Sequence, residues 1–95
     1  MPKAYWIAHV TVTDPDQYKF YATDAGPVFK EFGATILARG GAHHIMEGNG
    51  RPRNVVIEFP SLQAALDCYH SAGYQAAKAK RKGAGEADIV FVESV

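Results

Sequence analysis

Apolar and polar positions alternate in four short stretches of the chain, and between those stretches the apolar spacing lengthens to three and four. Ala4 to Thr13 is aromatic and β-branched (Tyr5, Trp6, Ile7, Val10, Thr11, Val12, Thr13), the composition of a strand. Trp6, Ala8, Val10 and Val12 fall on an apolar face, and Tyr5, Ile7, His9 and Thr11 on a mixed one. Asp14-Pro15-Asp16-Gln17 then opens a helix. Asp14 caps it, Pro15 suits the first turn, where its missing N–H leaves nothing unpaired, and Gln17 completes a capping-box spacing. Tyr18, Tyr21, Ala22, Ala25, Val28, Phe29 and Phe32 recur at helical spacing. Gly26-Pro27 predicts a kink or break, with a second short helix ending at Gly33.

Ala34 to Gly40 reads as a second strand, with Ile36 and Ala38 on its apolar side and Thr35, Leu37 and Arg39 opposite. Ala42 to Pro52 makes a long arm carrying His43, His44, Glu47 and the turn signal Gly48-Asn49-Gly50. Arg53 to Phe59 is the third strand. Pro60 stops it, and Ser61 caps a helix with Leu62, Ala65, Leu66 and Tyr69 inward. Ser71-Ala72-Gly73 breaks this helix, which resumes from Tyr74 to Lys82; a turn at Gly83 to Gly85 leads to a fourth strand, Ala87 to Val95.

The order β-α-β-β-α-β, with right-handed crossovers and a self-paired central hairpin, predicts an α+β ferredoxin-like domain. Its sheet has four antiparallel strands in the order 4-1-3-2, with both helices on one face. The face away from the helices carries Tyr5, Ile7, Leu37, Val56 and either Ile89 with Phe91 or Val90 with Val92. That is too apolar for water across four strands, and no residues remain to cover it. A second copy, packed sheet to sheet about a two-fold axis, is the expected partner.

Composition narrows the classes. The 95 residues form one domain, 1–95, too small to enclose a large cavity cheaply within one subunit. Ten basic and ten acidic residues cancel, so neither nucleic acid nor an anionic membrane is an expected partner. Cys68 is the one cysteine, which suits a reducing compartment, and no apolar run approaches the ~20 residues of a membrane span. These features predict a cytoplasmic protein. No phosphate-binding loop, dinucleotide fingerprint or Cys-x-x-Cys pair is present, and no cofactor is expected.

Several motifs carry a resemblance: Tyr5-Trp6-Ile7-Ala8, the Asp-Pro helix start, Ala38-Arg39-Gly40-Gly41, Val56-Ile57-Glu58-Phe59-Pro60-Ser61, and Cys68-Tyr69-His70-Ser71 with Tyr74-Gln75. Together they resemble a small bacterial family, the domain-of-unknown-function family numbered 1330, within the dimeric α+β barrel superfamily. The resemblance spans nearly the whole chain. It implies a ferredoxin-like fold and a barrel built from two subunits, and it implies no activity. Superfamily relatives include cofactor-free monooxygenases, lactone isomerases and haem-binding enzymes, so fold analogy does not choose among them.

Two kinds of candidate chemistry follow. Glu58, His9 and Arg39 are expected on the mixed face, His9 and Arg39 with Asn54 toward its hairpin end and Glu58 toward the other. Glu58 would be a general base or ligand anchor, Arg39 a carboxylate binder and His9 a proton carrier. The same groups can instead fix sheet register and dimer geometry. Trp6, Tyr18, Tyr21, Tyr69 and Tyr74 can line a ligand pocket between sheet and helices, or simply fill the core. Adjacent His43 and His44 point to opposite sides of an extended arm, so no metal site is expected there. The Lys78, Lys80, Arg81 and Lys82 run reads as a solvated helix end. The two functions in view are a cofactor-independent small-molecule enzyme of oxygenase or isomerase type, and a non-catalytic dimeric module for metabolite binding or assembly.

Overall fold

The structure, a computed structural model, describes residues 2–95. The elements are β1 (Ala4–Val12), α1 (Pro15–Glu31), β2 (Thr35–Arg39), β3 (Arg53–Phe59), α2 (Leu62–His70), α3 (Ala72–Arg81) and β4 (Gly85–Glu93). The sheet order is β2-β3-β1-β4, with every pair antiparallel. This is the expected 4-1-3-2 order read from its other edge. The helices cover one face, and the core lies between them and the sheet.

Trp6 is the centre of that core. Its ring lies 4.7 Å from Phe91, 5.0 Å from Phe29, 5.0 Å from Tyr74, 5.8 Å from Tyr69 and 5.9 Å from Phe59, centroid to centroid. Such edge-to-face and offset contacts add about 0.5–1.5 kcal/mol per pair beyond the burial itself. The residues beside it on β1, Ala4 and Ala8, are small and buried, which leaves room for the indole.

Three expectations need correction. The first is the break at Gly26-Pro27: α1 runs uninterrupted through Pro27. Gly26 has no Cβ to clash with the proline ring, and Pro27 and Thr23, whose carbonyl loses its helical donor, are both exposed to water. The second is the helix after Ser61, whose break is a single residue. Ser71 donates its hydroxyl to the Cys68 carbonyl at 2.6 Å and accepts from the Tyr74 N–H at 3.2 Å, ending α2 and capping α3. A Cβ on Gly73 would stand 3.1 Å from Val28 Cγ2, so α3 packs closely on α1 there.

The third correction bears on function. The β2–β3 register shifts between Ile36 and Ala38, with Ile36 opposite Ile57 and Arg39 opposite Val55. One extra residue, Leu37, reverses the alternation beyond it. Arg39 therefore shares the helix-facing side with Val55, and Ala38 turns to the open side with Val56. On β4 the alternation resolves as Val90 and Val92 outward, opposite Ile7 and Tyr5, with Ile89 and Phe91 inward. Val90 is 54% exposed and Val92 47% exposed, so the open face of the single chain carries bare apolar side chains beside Ile7 and Val56.

Candidate functional site

A cavity of about 280 Å3 opens between α1 and the sheet. Its floor is built from period-two positions: Trp6, Ala8 and Val10 on β1, Val55 and Ile57 on β3, and Ile36 on β2. Its wall is one stripe of α1, where Tyr18, Ala22, Ala25 and Phe29 recur at three and four, joined by Tyr21 and Gly26. Thr23 and three arginines, Arg39, Arg53 and Arg81, complete the lining. Among the lining residues there is no aspartate, glutamate or histidine.

Each arginine comes from a different element. Arg53 begins β3 on the same side as Val55 and Ile57, and its guanidinium lies 5.5 Å from the Tyr18 ring centre. Its Nε is buried and has no hydrogen-bond partner among the described residues. Arg81 ends α3 and stacks over Tyr21 at 4.9 Å, and its Nη1 donates to the Tyr74 hydroxyl at 3.4 Å. Arg39 arrives through the β2 bulge. No ion pair engages any of the three among the described residues. Asp24 of α1 is paired with Lys80 of α3 instead.

Behind Trp6 the hydroxyls of Tyr21 and Tyr74 meet at 2.9 Å. Burial pushes the Tyr21 phenol far above its ordinary value, and the neighbouring Tyr74 adds to the effect. Burial raises Tyr74 as well, against the lowering influence of its hydrogen bond with Tyr21 and of Arg81. Both therefore stay neutral hydroxyls. The cavity can offer flat aromatic surface, hydroxyl donors and positive charge; its lining holds no group suited to take a proton at neutral pH.

The residues expected to act together are divided by the sheet. His9 and Asn54 face each other on the open side, with His9 Nδ1 2.6 Å from Asn54 Oδ1, and Asn54 Nδ2 donates to the Arg51 carbonyl at 3.2 Å. Arg51 in turn holds Asp88 at 2.9 Å, Thr11 at 3.0 Å and Glu86 at 3.3 Å. Glu58, opposite Tyr5 and Thr35, pairs with Lys3 at 3.2 Å. His9 and Glu58 stand four ladder positions apart, about 13 Å along the strand. Arg39 is on the far side of the sheet from both.

Of the expected ligand-binding residues, Trp6 and Tyr18 line the cavity. Tyr69 and Tyr74 pack behind Trp6, and Asn54 belongs to the open face. His43, His44 and Glu47 lie around a separate hollow of about 450 Å3 with His9 and Asn54. No group of three or more metal-ligating side chains is assembled among the described residues. Arg53 and Arg81 were not legible as site residues from helix and charge patterns alone. Their signals were a cation on the apolar alternation of β3 and a seven-residue spacing from Tyr74.

The chain is similar in fold to several solved structures. A protein of unknown function from Rhodopseudomonas palustris matches with a TM-score of 0.73 at 19% identity, over 99% of this chain and 83% of that one. SnoaB, a cofactor-independent oxygenase from Streptomyces nogalater, matches with a TM-score of 0.71 at 7% identity, over 100% and 95%. A dimeric ferredoxin-like protein of unknown function from Thermobifida fusca matches with a TM-score of 0.60 at 14% identity, over 98% and 92%. No curated protein matches the chain. The ferredoxin-like fold is thereby shared with proteins at low identity, and a family model matches residues 3–95: the chain belongs to the family described as Domain of unknown function (DUF1330).

Proposed function

We propose that the chain binds a small organic molecule in the cavity between α1 and the sheet, and that it does so as a homodimer paired through its open sheet face. The observation that carries the reading is the cavity itself. Flat aromatic walls meet three arginines that no ion pair engages among the described residues, the combination by which ligand sites differ from gaps in a core. In this reading Glu58 with Lys3, and His9 with Asn54, set how two sheets register. The sheet partner is supported by the bare apolar side chains of that face and by the dimeric relative from Thermobifida fusca.

The test uses the chain's one tryptophan, whose indole N–H gives a single nuclear magnetic resonance signal. Small aromatic amides, alcohols and acids at millimolar concentration are expected to shift it. The cavity-filling variant Gly26→Leu should abolish that response, because Gly26 lines the cavity and a Cβ there meets nothing within 4 Å beyond its chain neighbours. Silence of the Trp6 signal toward every compound would end the proposal.

A second reading adds turnover: cofactor-independent oxygenation or isomerisation of the bound molecule. Its support is the fold shared with SnoaB, together with the Tyr21–Tyr74–Arg81 hydroxyl network beside the cavity. Oxygen uptake with a bound compound and no added cofactor, lost in Arg39→Ala, would favour it. Binding without any turnover would leave the non-catalytic module.

A further inference from the structure

The cavity's charge says which small molecule it takes. We infer that its ligand is a flat, apolar carboxylic acid, with the carbon skeleton against Trp6 and Tyr18 and the carboxylate on Arg53, assisted by Arg39. This rests on the cavity being a binding site, and it adds the ligand's chemistry.

Three arginines around one small cavity repel each other, and nothing acidic lines it. In a chain whose formal charges cancel, that is a local excess of positive charge without a counterion. The excess is not idle surface charge. The Arg53 head is held by stacking on Tyr18, and stacking uses the ring's face while consuming none of the five N–H donors. One donor, Nε, is buried and has no hydrogen-bond partner among the described residues, so the head keeps all its donors out of the fold's own bonds there. The two terminal Nη groups of a guanidinium offer parallel N–H bonds, a geometry that a carboxylate accepts with both oxygens.

The rest of the lining argues for a carboxylate over a phosphate ester. Beyond the guanidiniums the walls are mainly carbon: Trp6, Val10, Phe29, Val55 and Ile57. Arg81 is already committed to the Tyr21 ring and the Tyr74 hydroxyl. A third phosphate oxygen and a second charge would be stripped of water against those walls at greater cost than a carboxylate's two oxygens. Aromatic rings on floor and wall then favour a flat skeleton.

Isothermal titration with 2-naphthoate, its neutral amide 2-naphthamide, and 2-naphthyl phosphate decides the matter. The acid is expected to bind at least about tenfold more tightly than the amide, as a charge-assisted pair requires. That advantage should shrink as salt rises. Arg53→Gln should bring acid and amide level, the acid losing far more affinity than the amide, and Arg53→Lys should restore only part of the difference. If Arg53→Gln does not fold, Arg39→Gln carries the same test, with a smaller loss of discrimination expected. Equal binding of acid and amide to the unaltered protein would overturn the inference and leave small-molecule binding standing. Tighter binding of the phosphate, or acid preference intact in a folded Arg53→Gln, would overturn it too. No binding by any of the three would overturn the inference alone while the Trp6 signal still answers other small molecules; with that signal silent as well, both readings fall.

Discussion

Arg53 occupies space that only a glycine at position 40 leaves free: a Cβ there would lie 2.7 Å from Arg53 Nη1. Gly40 also has φ +67°, the left-handed region that side chains avoid. The Arg39-Gly40-Gly41 motif therefore has a physical reading, since it ends β2 on one arginine and seats another. Gly40→Ala should cost about 1–2 kcal/mol in backbone strain and lower the melting temperature by roughly 4–16 °C. The flexible guanidinium must yield, because the strand cannot. Affinity for 2-naphthoate should fall several-fold with 2-naphthamide unchanged, read by calorimetry on the folded variant. Unaltered naphthoate affinity would detach Gly40 from the site.

Gly85 meets a harder constraint. A Cβ at this first residue of β4 would collide with the Thr11 carbonyl oxygen and stand 3.2 Å from the Val12 Cα. Both are backbone atoms of the central strand, so neither can rotate away. Gly85→Ala should destabilise by about 1–3 kcal/mol, measured as a lower urea midpoint with an unchanged slope. A midpoint within error of the unaltered protein would show that the β1–β4 edge gives more than this contact allows.

Most of the fold was legible in the sequence because β1, β3 and β4 keep strict alternation. Trp6 with Val10 and Val55 with Ile57 and Phe59 name the buried face directly, and Asp14 and Ser61 announce helix starts. The candidate site was legible only in part. Leu37 is apolar and β2 is short, so nothing in the residues marks a bulge there, yet that one inserted residue moves Arg39 to the opposite side of the sheet. Arg81 looks like any cation at a helix C-terminus until α3 is seen to lay it over Tyr21, a contact between distant segments. Pro27 was read by its usual effect within a helix, which the exposure of that turn softens.

The open sheet face supplies a prediction about assembly. Val56, Ile7 and Val90 lie side by side across β3, β1 and β4, with Glu58, Tyr5 and Val92 in a parallel row. The protein should sediment at twice its 10.3 kDa at micromolar concentration. Val90→Lys, at an exposed position of the single chain, should yield a folded monomer, while Val90→Thr should weaken the dimer less. A folded monomer of the unaltered protein at that concentration would refute the homodimer.

Cys68 predicts how stability responds to alkali. It is completely buried on α2, and burial, with a smaller contribution from Glu31, pushes its thiol from an ordinary value of 9.0 up to about 11. The folded chain therefore holds this proton more tightly than the unfolded chain does. The stabilisation it represents is whole below pH 9 and drains away as pH rises toward 11, amounting to about 2–3 kcal/mol. Tyr21 and Tyr74, raised in the same direction, extend the decline at higher pH. Cys68→Ala should lose roughly 1–2 kcal/mol at pH 8 through the space left by the sulfur. Its stability should then fall less steeply than that of the unaltered protein from pH 9 to 11. Urea midpoints at pH 8, 9 and 10 should converge for the two proteins; curves that stay parallel across that range would mean the buried thiol does not govern the alkaline limb.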